Sequence, residues 1–413
     1  MSLGAKIIKN TGFHLAGRVI STVLGVASVA LLTRYLGPQL FGEYTTSTNF
    51  LQFFAIIADF GLTLTALTML GESAPEEESK ILGNLASLRL LSMLFFILAP
   101  LTVLFFPYSQ TIKTAVLVGS AAYAILALNQ MLISVFQKHL AMHIVAIAEV
   151  LGRTTLFLVM LFAASQGYGV VAMVAAMLVA NAVQVGTMLI LGYKIAPIKL
   201  GFDTKLWREI MRRSWPLAAT SALNLVYLKG DILILSLYRP DAEVGIYGAA
   251  YKVLDVLTVI PFIFMGLVLP RLSAAWKNGE KEKFRGYFQL SFEALVILGL
   301  PFLVGGALVA SKLMTLVAGK EFSAGGTSLA ILLGALFAVF ISALFGHVVI
   351  ALNAQRKTIW MYAITAVITF AGYFLTIPRF GAVAAAGFTV FSEILITILL
   401  AFAVRKNAGF WPS

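Results

Sequence analysis

Hydrophobic positions run along this chain in unbroken stretches of about 20 residues, separated by short polar connections. Periodicity does not separate a buried helix from one that crosses a membrane, so run length decides: a hydrocarbon layer ~30 Å thick takes about 20 helical residues. Twelve spans are predicted, over approximately 13–33, 45–70, 88–106, 114–136, 144–165, 169–193, 215–237, 244–269, 289–310, 325–351, 358–377 and 382–403. Their ends are placed to about 2–4 residues. The first follows Lys6 and Lys9 in the manner of a signal peptide. It is about 20 residues long, however, contains Arg18 and lacks a small-residue cleavage site, so it is expected to stay as a span.

Composition agrees with that pattern. Apolar residues make up 60% of the 413 and charged ones 12%, whereas a soluble domain carries roughly 45–50% and about 25%. An all-α integral membrane protein is the expected class. No connection is long enough to fold a nucleotide-binding domain, and no Gly-x4-Gly-Lys-Ser/Thr loop occurs, so ATP hydrolysis by this chain alone is not expected. Cysteine is absent and the four histidines are scattered without metal-ligand spacing; no metal and no cofactor are expected.

The net charge of +12 would point to nucleic acid in a soluble protein, but here it sorts by side. With the N-terminus placed in the cytoplasm, the even-numbered connections and both termini hold about twenty Lys and Arg, against about six in the odd connections. The expected placement is therefore the cell's inner (cytoplasmic) membrane, multi-pass, with both termini cytoplasmic and no nucleic-acid partner. The most basic segments, 194–213 and 271–285, are expected to meet anionic lipid headgroups.

An internal repeat is visible. A shift of about 203 residues lays Leu32, Tyr35, Gly42 and Tyr44 on Leu235, Tyr238, Gly245 and Tyr247, and Lys9 on Arg212. Near each half's end, Tyr168-Gly169-Val170-Val171-Ala172 resembles Phe380-Gly381-Ala382-Val383-Ala384. Each half holds six predicted spans, an even number, so the two run in the same sense through the membrane as parallel repeats. The expected organisation is an N-lobe over 1–193, a basic interfacial linker over 194–213 and a C-lobe over 214–413, with substrate bound between the halves.

Polar residues inside the spans are the candidates for chemistry, because a charge at the bilayer centre costs roughly 2.5–3.5 kcal/mol even on lenient scales. His14, Arg18, Ser21, Gly25 and Ser28 share one face of the first span; Thr220, Asn224, Tyr227 and Asp231 share one face of the seventh. The eighth adds Tyr247, Tyr251, Asp255 and Thr258, with Lys252 beside them; Tyr44, Thr48 and Gln52 are the counterparts in the second. Lys252 with Asp255, and Glu149 with Arg153, have the spacing of pairs within one helix. Lys229 either snorkels toward the outer surface or meets an anion. Asp59 and Glu393 read as isolated acids, suited to coupling with a proton or sodium gradient or simply held neutral by burial. The small residues Gly381, Ala384, Ala385, Ala386 and Gly387 read as close helix packing.

The string Leu32-Thr33-Arg34-Tyr35-Leu36-Gly37-Pro38, running into Phe41-Gly42-Glu43-Tyr44 and then Ala58-Asp59-Phe60-Gly61-Leu62, resembles the first two helices of polysaccharide (O-antigen, Wzx-type) flippases. These belong to the multidrug/oligosaccharidyl-lipid/polysaccharide exporter superfamily. Lys229-Gly230-Asp231-Ile232-Leu233, Val244-Gly245-Ile246-Tyr247, Ala250-Tyr251-Lys252 and Leu269-Pro270-Arg271-Leu272 resemble the same family's seventh and eighth helices. The resemblance implies two six-helix lobes, alternating access, and a lipid-linked oligosaccharide as substrate in cell-surface polysaccharide biosynthesis. It implies Arg18, Lys229 and Lys252 as cations for a diphosphate, lined by His14, Ser21, Asn224, Tyr227, Tyr247 and Tyr251. Asp59, Asp231, Asp255 and Glu393 are then ion-coupling or counter-charge residues, with a proton or sodium gradient or the membrane potential as energy source. A cation-coupled multidrug or organic-cation antiporter of the same fold is the alternative. The short odd-numbered loops disfavour a membrane-embedded enzyme, and the duplicated polar stripes suit a transporter better than a channel or scaffold.

Overall fold

The computed structural model describes residues 3–72, 75–193 and 199–409, without the side chains of 3–16, 64, 67, 71, 72, 75, 76 and 217. Among these residues no strand occurs, and ten helical stretches are long and apolar enough to cross a membrane. The protein is a multi-pass helical membrane protein. It divides into two compact units, Met1–Ala222 and Leu223–Ser413.

The first unit contains α1 (Leu3–Asp59), α2 (Leu62–Glu72), α3 (Pro75–Met93), α4 (Leu98–Thr102), α5 (Gln110–Lys138), α6 (Met142–Ser165) and α7 (Val170–Gly192), with 3-10 turns at Leu94–Ile97 and Val103–Phe105. Within it α1 packs on α5 and α6, and α7 on α5 and α6. α8 (Thr204–Tyr238) begins in the first unit and ends in the second. The second unit continues with α9 (Asp241–Lys277), α10 (Lys281–Ala318), a 3-10 turn at Lys320–Gly325, α11 (Gly326–Ala351) and α12 (Gln355–Ala408), and α11 packs on α9, α10 and α12.

The twelve predicted spans and the ten observed helices differ for a local backbone reason. α1 contains Gly37 at φ 65°, ψ 176°, followed by Pro38; α12 contains Gly381 at φ 58°, ψ −139°. Each glycine breaks the helical path without ending the helical run, so these two helices are each a pair of arms of about 20 residues or more, enough to cross the bilayer. Pro38 sits where a proline is tolerated, in the first turn of the arm it opens. The second predicted span is itself interrupted: Phe60 at φ 43° and Gly61 at φ 72° separate α1 from α2.

At Gly381 the reason for glycine is visible. At the start of the second arm of α12 the backbone N–H of Ala382 donates to Glu243 Oε1 at 2.8 Å, and Arg239 Nε holds the other Glu243 oxygen at 2.8 Å. A Cβ on residue 381 would run into that same carboxylate oxygen. Gly381→Ala is therefore expected to destabilise the protein by about 1–3 kcal/mol, the strain of a positive-φ backbone, read as a lower thermal midpoint in detergent. Alanine at Gly387, with open space around it, is the neutral control.

Side chains sort as a bilayer demands rather than as water demands. Large apolar groups such as Phe105, Leu308 and Leu375 are strongly exposed, while Tyr247, Phe288, Phe340 and Tyr373 are fully buried. The segment expected as a linker, 194–213, falls partly outside the described residues, at 194–198. Its remainder is fastened to α3: Gly201 N–H donates to Gly83 O at 3.1 Å, Asp203 N–H to Asn84 Oδ1 at 2.7 Å, and Lys80 Nζ meets Asp203 Oδ2 at 2.7 Å. Asp203 Oδ1 also accepts the N–H groups of Lys205 and Leu206, capping α8. The Lys80 hydrogen bond, with the Leu206 and Lys205 amides, holds the Asp203 carboxyl below the usual carboxylate range. The boundary between the two units lies inside α8, past this fastened segment.

Candidate functional site

The second unit gathers a buried polar cluster from α8, α9 and α12. Asp231 is fully buried; its Oδ2 accepts the Tyr247 hydroxyl at 2.5 Å and the Thr389 hydroxyl at 3.1 Å, and its Oδ1 accepts the Ile232 amide at 2.7 Å. Tyr373 OH lies 3.2 Å from Thr389 Oγ1 and donates to the Tyr227 carbonyl at 2.7 Å, while Asn224 Nδ2 donates to Tyr227 OH at 2.6 Å. A buried carboxylate survives only with donors or a cation around it, and here three donors stand in place. The stripe Asn224, Tyr227, Asp231 predicted on one helix face is thus one hydrogen-bonded network.

Beside it lies a charge pair. Lys229 Nζ is 2.7 Å from Asp255 Oδ1 and 4.1 Å from the centre of the Tyr251 ring, so its charge is shared between a carboxylate and an aromatic face. The Tyr251 hydroxyl donates to the Leu228 carbonyl, and the Tyr247 and Tyr251 rings meet edge to face at 5.5 Å. Lys229 neither snorkels outward nor stands free, and Asp255 pairs with Lys229 rather than with Lys252 one turn away. The reason is geometric: the α8–α9 pairing brings Lys229 and Asp255 together across 26 positions of sequence. Lys252 is half-buried on α9.

In the first unit the expected Glu149–Arg153 pair is replaced by Arg18 Nη1 to Glu149 Oε1 at 3.3 Å, between α1 and α6. The Arg18 side chain remains nearly half exposed, at 46%. Ser21 is buried, and the side chain of His14 lies outside the described residues. Asp59 is not isolated: its Oδ1 accepts Arg89 Nη2 at 2.8 Å and the Thr63 hydroxyl. Glu393 is buried on α12, 3.4 Å from Ser342 Oγ.

The sequence did not single out Arg89, Thr63, Ser342, Tyr373 or Thr389. Arg89, the largest fully buried side chain, could have been found as a cation inside the apolar run that opens the third span. Tyr373 and Thr389 give no such signal, because a hydroxyl in an apolar span costs little enough to be common. Among the described residues, no group of three His, Cys, Asp or Glu side chains could hold a metal ion. What the cluster offers instead is one carboxylate with the hydroxyls of Tyr247 and Thr389, an oxygen shell suited to a proton or a hard monovalent cation.

The protein is 23% identical over 327 residues to the succinoglycan biosynthesis transport protein ExoT of Rhizobium meliloti (strain 1021), covering 77% of this chain and 63% of that one. It is 22% identical over 379 residues to the "Probable low-salt glycan biosynthesis flippase Agl15" of Haloferax volcanii, covering 90% and 78%. In structure it resembles the lipid II flippase MurJ in an inward closed conformation, with a TM-score of 0.76 over 96% of this chain and 88% of that one, at 14% identity, a likeness of fold. The sequence pattern of the family described as "Polysaccharide biosynthesis protein" matches residues 7–276. A match over that much of the chain makes it a member of the polysaccharide biosynthesis protein family.

Proposed function

We propose that the protein moves a polyprenyl-diphosphate-linked oligosaccharide from the inner to the outer leaflet of the cell's inner membrane, by alternating access, with both termini cytoplasmic. The observation that carries the reading is the family match over residues 7–276, in a chain with one relative named a probable glycan biosynthesis flippase and another named a succinoglycan biosynthesis transport protein. The charge distribution supports the orientation.

In the second unit, Lys229 and Lys252 are the cations that would take up the diphosphate. A diphosphate loses its hydration on leaving water, and charge-assisted hydrogen bonds offset that loss. Lys229 is already held in place by Asp255 and the Tyr251 ring, so the anion replaces one carboxylate partner rather than recruiting a loose side chain. Arg18, held by Glu149, offers a further cation in the first unit. Asp231 is the coupling residue: a proton or sodium ion on it competes for Oδ2, the oxygen that now accepts from Tyr247 and Thr389.

Binding can be tested without transport. The purified protein is heated in detergent with a polyprenyl-diphosphate oligosaccharide, with the same lipid lacking the diphosphate, or with a lipophilic organic cation. A ligand at 100 times its Kd raises stability by about 2.7 kcal/mol, so the diphosphate lipid is expected to raise the thermal midpoint by several degrees and the other two not. Stabilisation by the organic cation alone would move the chain to the antiporter alternative.

A further inference from the structure

Glu393 is an acid that the network around Asp231 does not use. It lies on α12 one helical turn past Thr389, the residue whose hydroxyl reaches Asp231. The residue is 2% exposed, and the one side-chain hydrogen bond it makes is long, 3.4 Å from Ser342 Oγ on α11. Among the described residues it has no ion-pair partner. Among the described residues, the titratable groups that stand close to it are Tyr227 on α8 and Tyr362 and Tyr373 on the first arm of α12. No Lys, Arg, Asp or Glu of α9, α10 or α11 bonds it among the described residues.

One further titratable group stands nearby in sequence on α11. His347, five residues beyond Ser342 toward Ala351, has Nδ1 2.7 Å from the Ala343 carbonyl oxygen. A carbonyl only accepts, so Nδ1 carries the proton and Nε2 is the basic nitrogen.

An ionised carboxylate buried in the helix packing, with no ion-pair partner among the described residues, is not a stable arrangement. We infer that Glu393 is a proton-binding site separate from Asp231, protonated in the conformation seen here and deprotonated in another state of the transport cycle. The exchange balances simply: the carboxyl O–H bond breaks, the proton passes to water as the site opens, and a proton from water restores it. This inference rests on the transport reading, since a cycle must exist for the site to serve it. A sodium ion is a poor occupant, because among the described residues one hydroxyl hydrogen-bonds the Glu393 carboxyl where two hydrogen-bond that of Asp231.

The test is infrared difference spectroscopy of the protein in lipid, titrated over about pH 5 to 9, with movement of the diphosphate lipid measured beside it. The expected result is a protonated-carboxyl stretch that fades as pH rises, is absent in Glu393→Gln and persists in His347→Gln. Glu393→Gln is also expected to lose the pH dependence of lipid movement, and Glu393→Asp to keep it. Should Glu393→Gln fail to fold, Ser342→Ala must move the frequency of the same band. A Glu393 band constant across the titration, with full pH-dependent transport by Glu393→Gln, would overturn the inference and leave a permanently neutral acid. A titrating band in a protein that moves no diphosphate lipid would instead remove the flippase reading, so the two failures are distinct.

Discussion

Asp231→Asn is expected to lower net transport by roughly 5–150-fold, the range of a coupling free energy of about 1–3 kcal/mol, while leaving folded protein in the membrane. Asparagine retains a side-chain oxygen that can still accept from Tyr247 and Thr389, so the α8, α9 and α12 contacts at this point survive. What it loses is the charge that attracts a coupling cation. The measurement is the accumulation of lipid-linked glycan in the outer leaflet against an imposed proton or sodium gradient, with the thermal midpoint as the check on folding. Wild-type gradient dependence in the asparagine variant would remove Asp231 from coupling. Phenylalanine at Tyr247 should give a weaker version of the same loss, because it removes one hydroxyl of the oxygen shell and keeps the ring packed against Tyr251.

Neutralising both lysines of the second unit, Lys229→Gln with Lys252→Gln, is expected to weaken binding of a diphosphate lipid far more than either change alone weakens the fold. Hydrogen bonds to charged groups contribute about 1.5–3 kcal/mol each, so each lysine accounts for roughly tenfold to a hundredfold in affinity. Lys229→Gln by itself strands Asp255, which is 40% exposed and can hydrate, so the stability loss is small. Pairing Lys229→Gln with Asp255→Asn removes even that. The check is a titration of the purified variants with the diphosphate lipid and with the monophosphate form. Equal affinity of wild type and the double lysine variant would place the diphosphate elsewhere.

The broad architecture was legible in the sequence because the bilayer imposes a length. Runs of about 20 apolar residues match the thickness of its hydrocarbon layer, and Gly37-Pro38 falls in the connection predicted between the first two spans; Gly381, read as close helix packing, is instead where one arm of α12 gives way to the next. What the pattern did not reveal was that the helical run continues through both glycines, since a single positive-φ residue costs glycine little and leaves the flanking turns intact. The break at Phe60–Gly61 was not predicted, because a single Gly61 inside a long, mostly apolar stretch reads as a continuation of the span.

The candidate site was legible as faces and illegible as partners. Helical spacing put Asn224, Tyr227 and Asp231 on one side of α8 and Tyr247, Tyr251 and Asp255 on one side of α9, where the structure has them. Spacing rules see only pairs within one helix, however. The expected Lys252–Asp255 and Glu149–Arg153 pairs gave way to Lys229–Asp255 and Arg18–Glu149, partners 26 and 131 positions apart. Asp59 looked isolated because Arg89 is 30 residues away in sequence. Tyr373 and Thr389 were missed because a hydroxyl hydrogen-bonds its own helix as readily as a neighbour: Thr389 Oγ1 lies 3.0 Å from Ala385 O, an alternative acceptor for its one proton.

The most direct test is transbilayer movement of a fluorescent polyprenyl-diphosphate oligosaccharide in proteoliposomes, read with a membrane-impermeant quencher. Protein-dependent movement of that lipid, reduced in Asp231→Asn and in the double lysine variant, is the result expected here. No movement of the lipid by folded wild-type protein, with uptake of an organic cation under the same gradient, would contradict it.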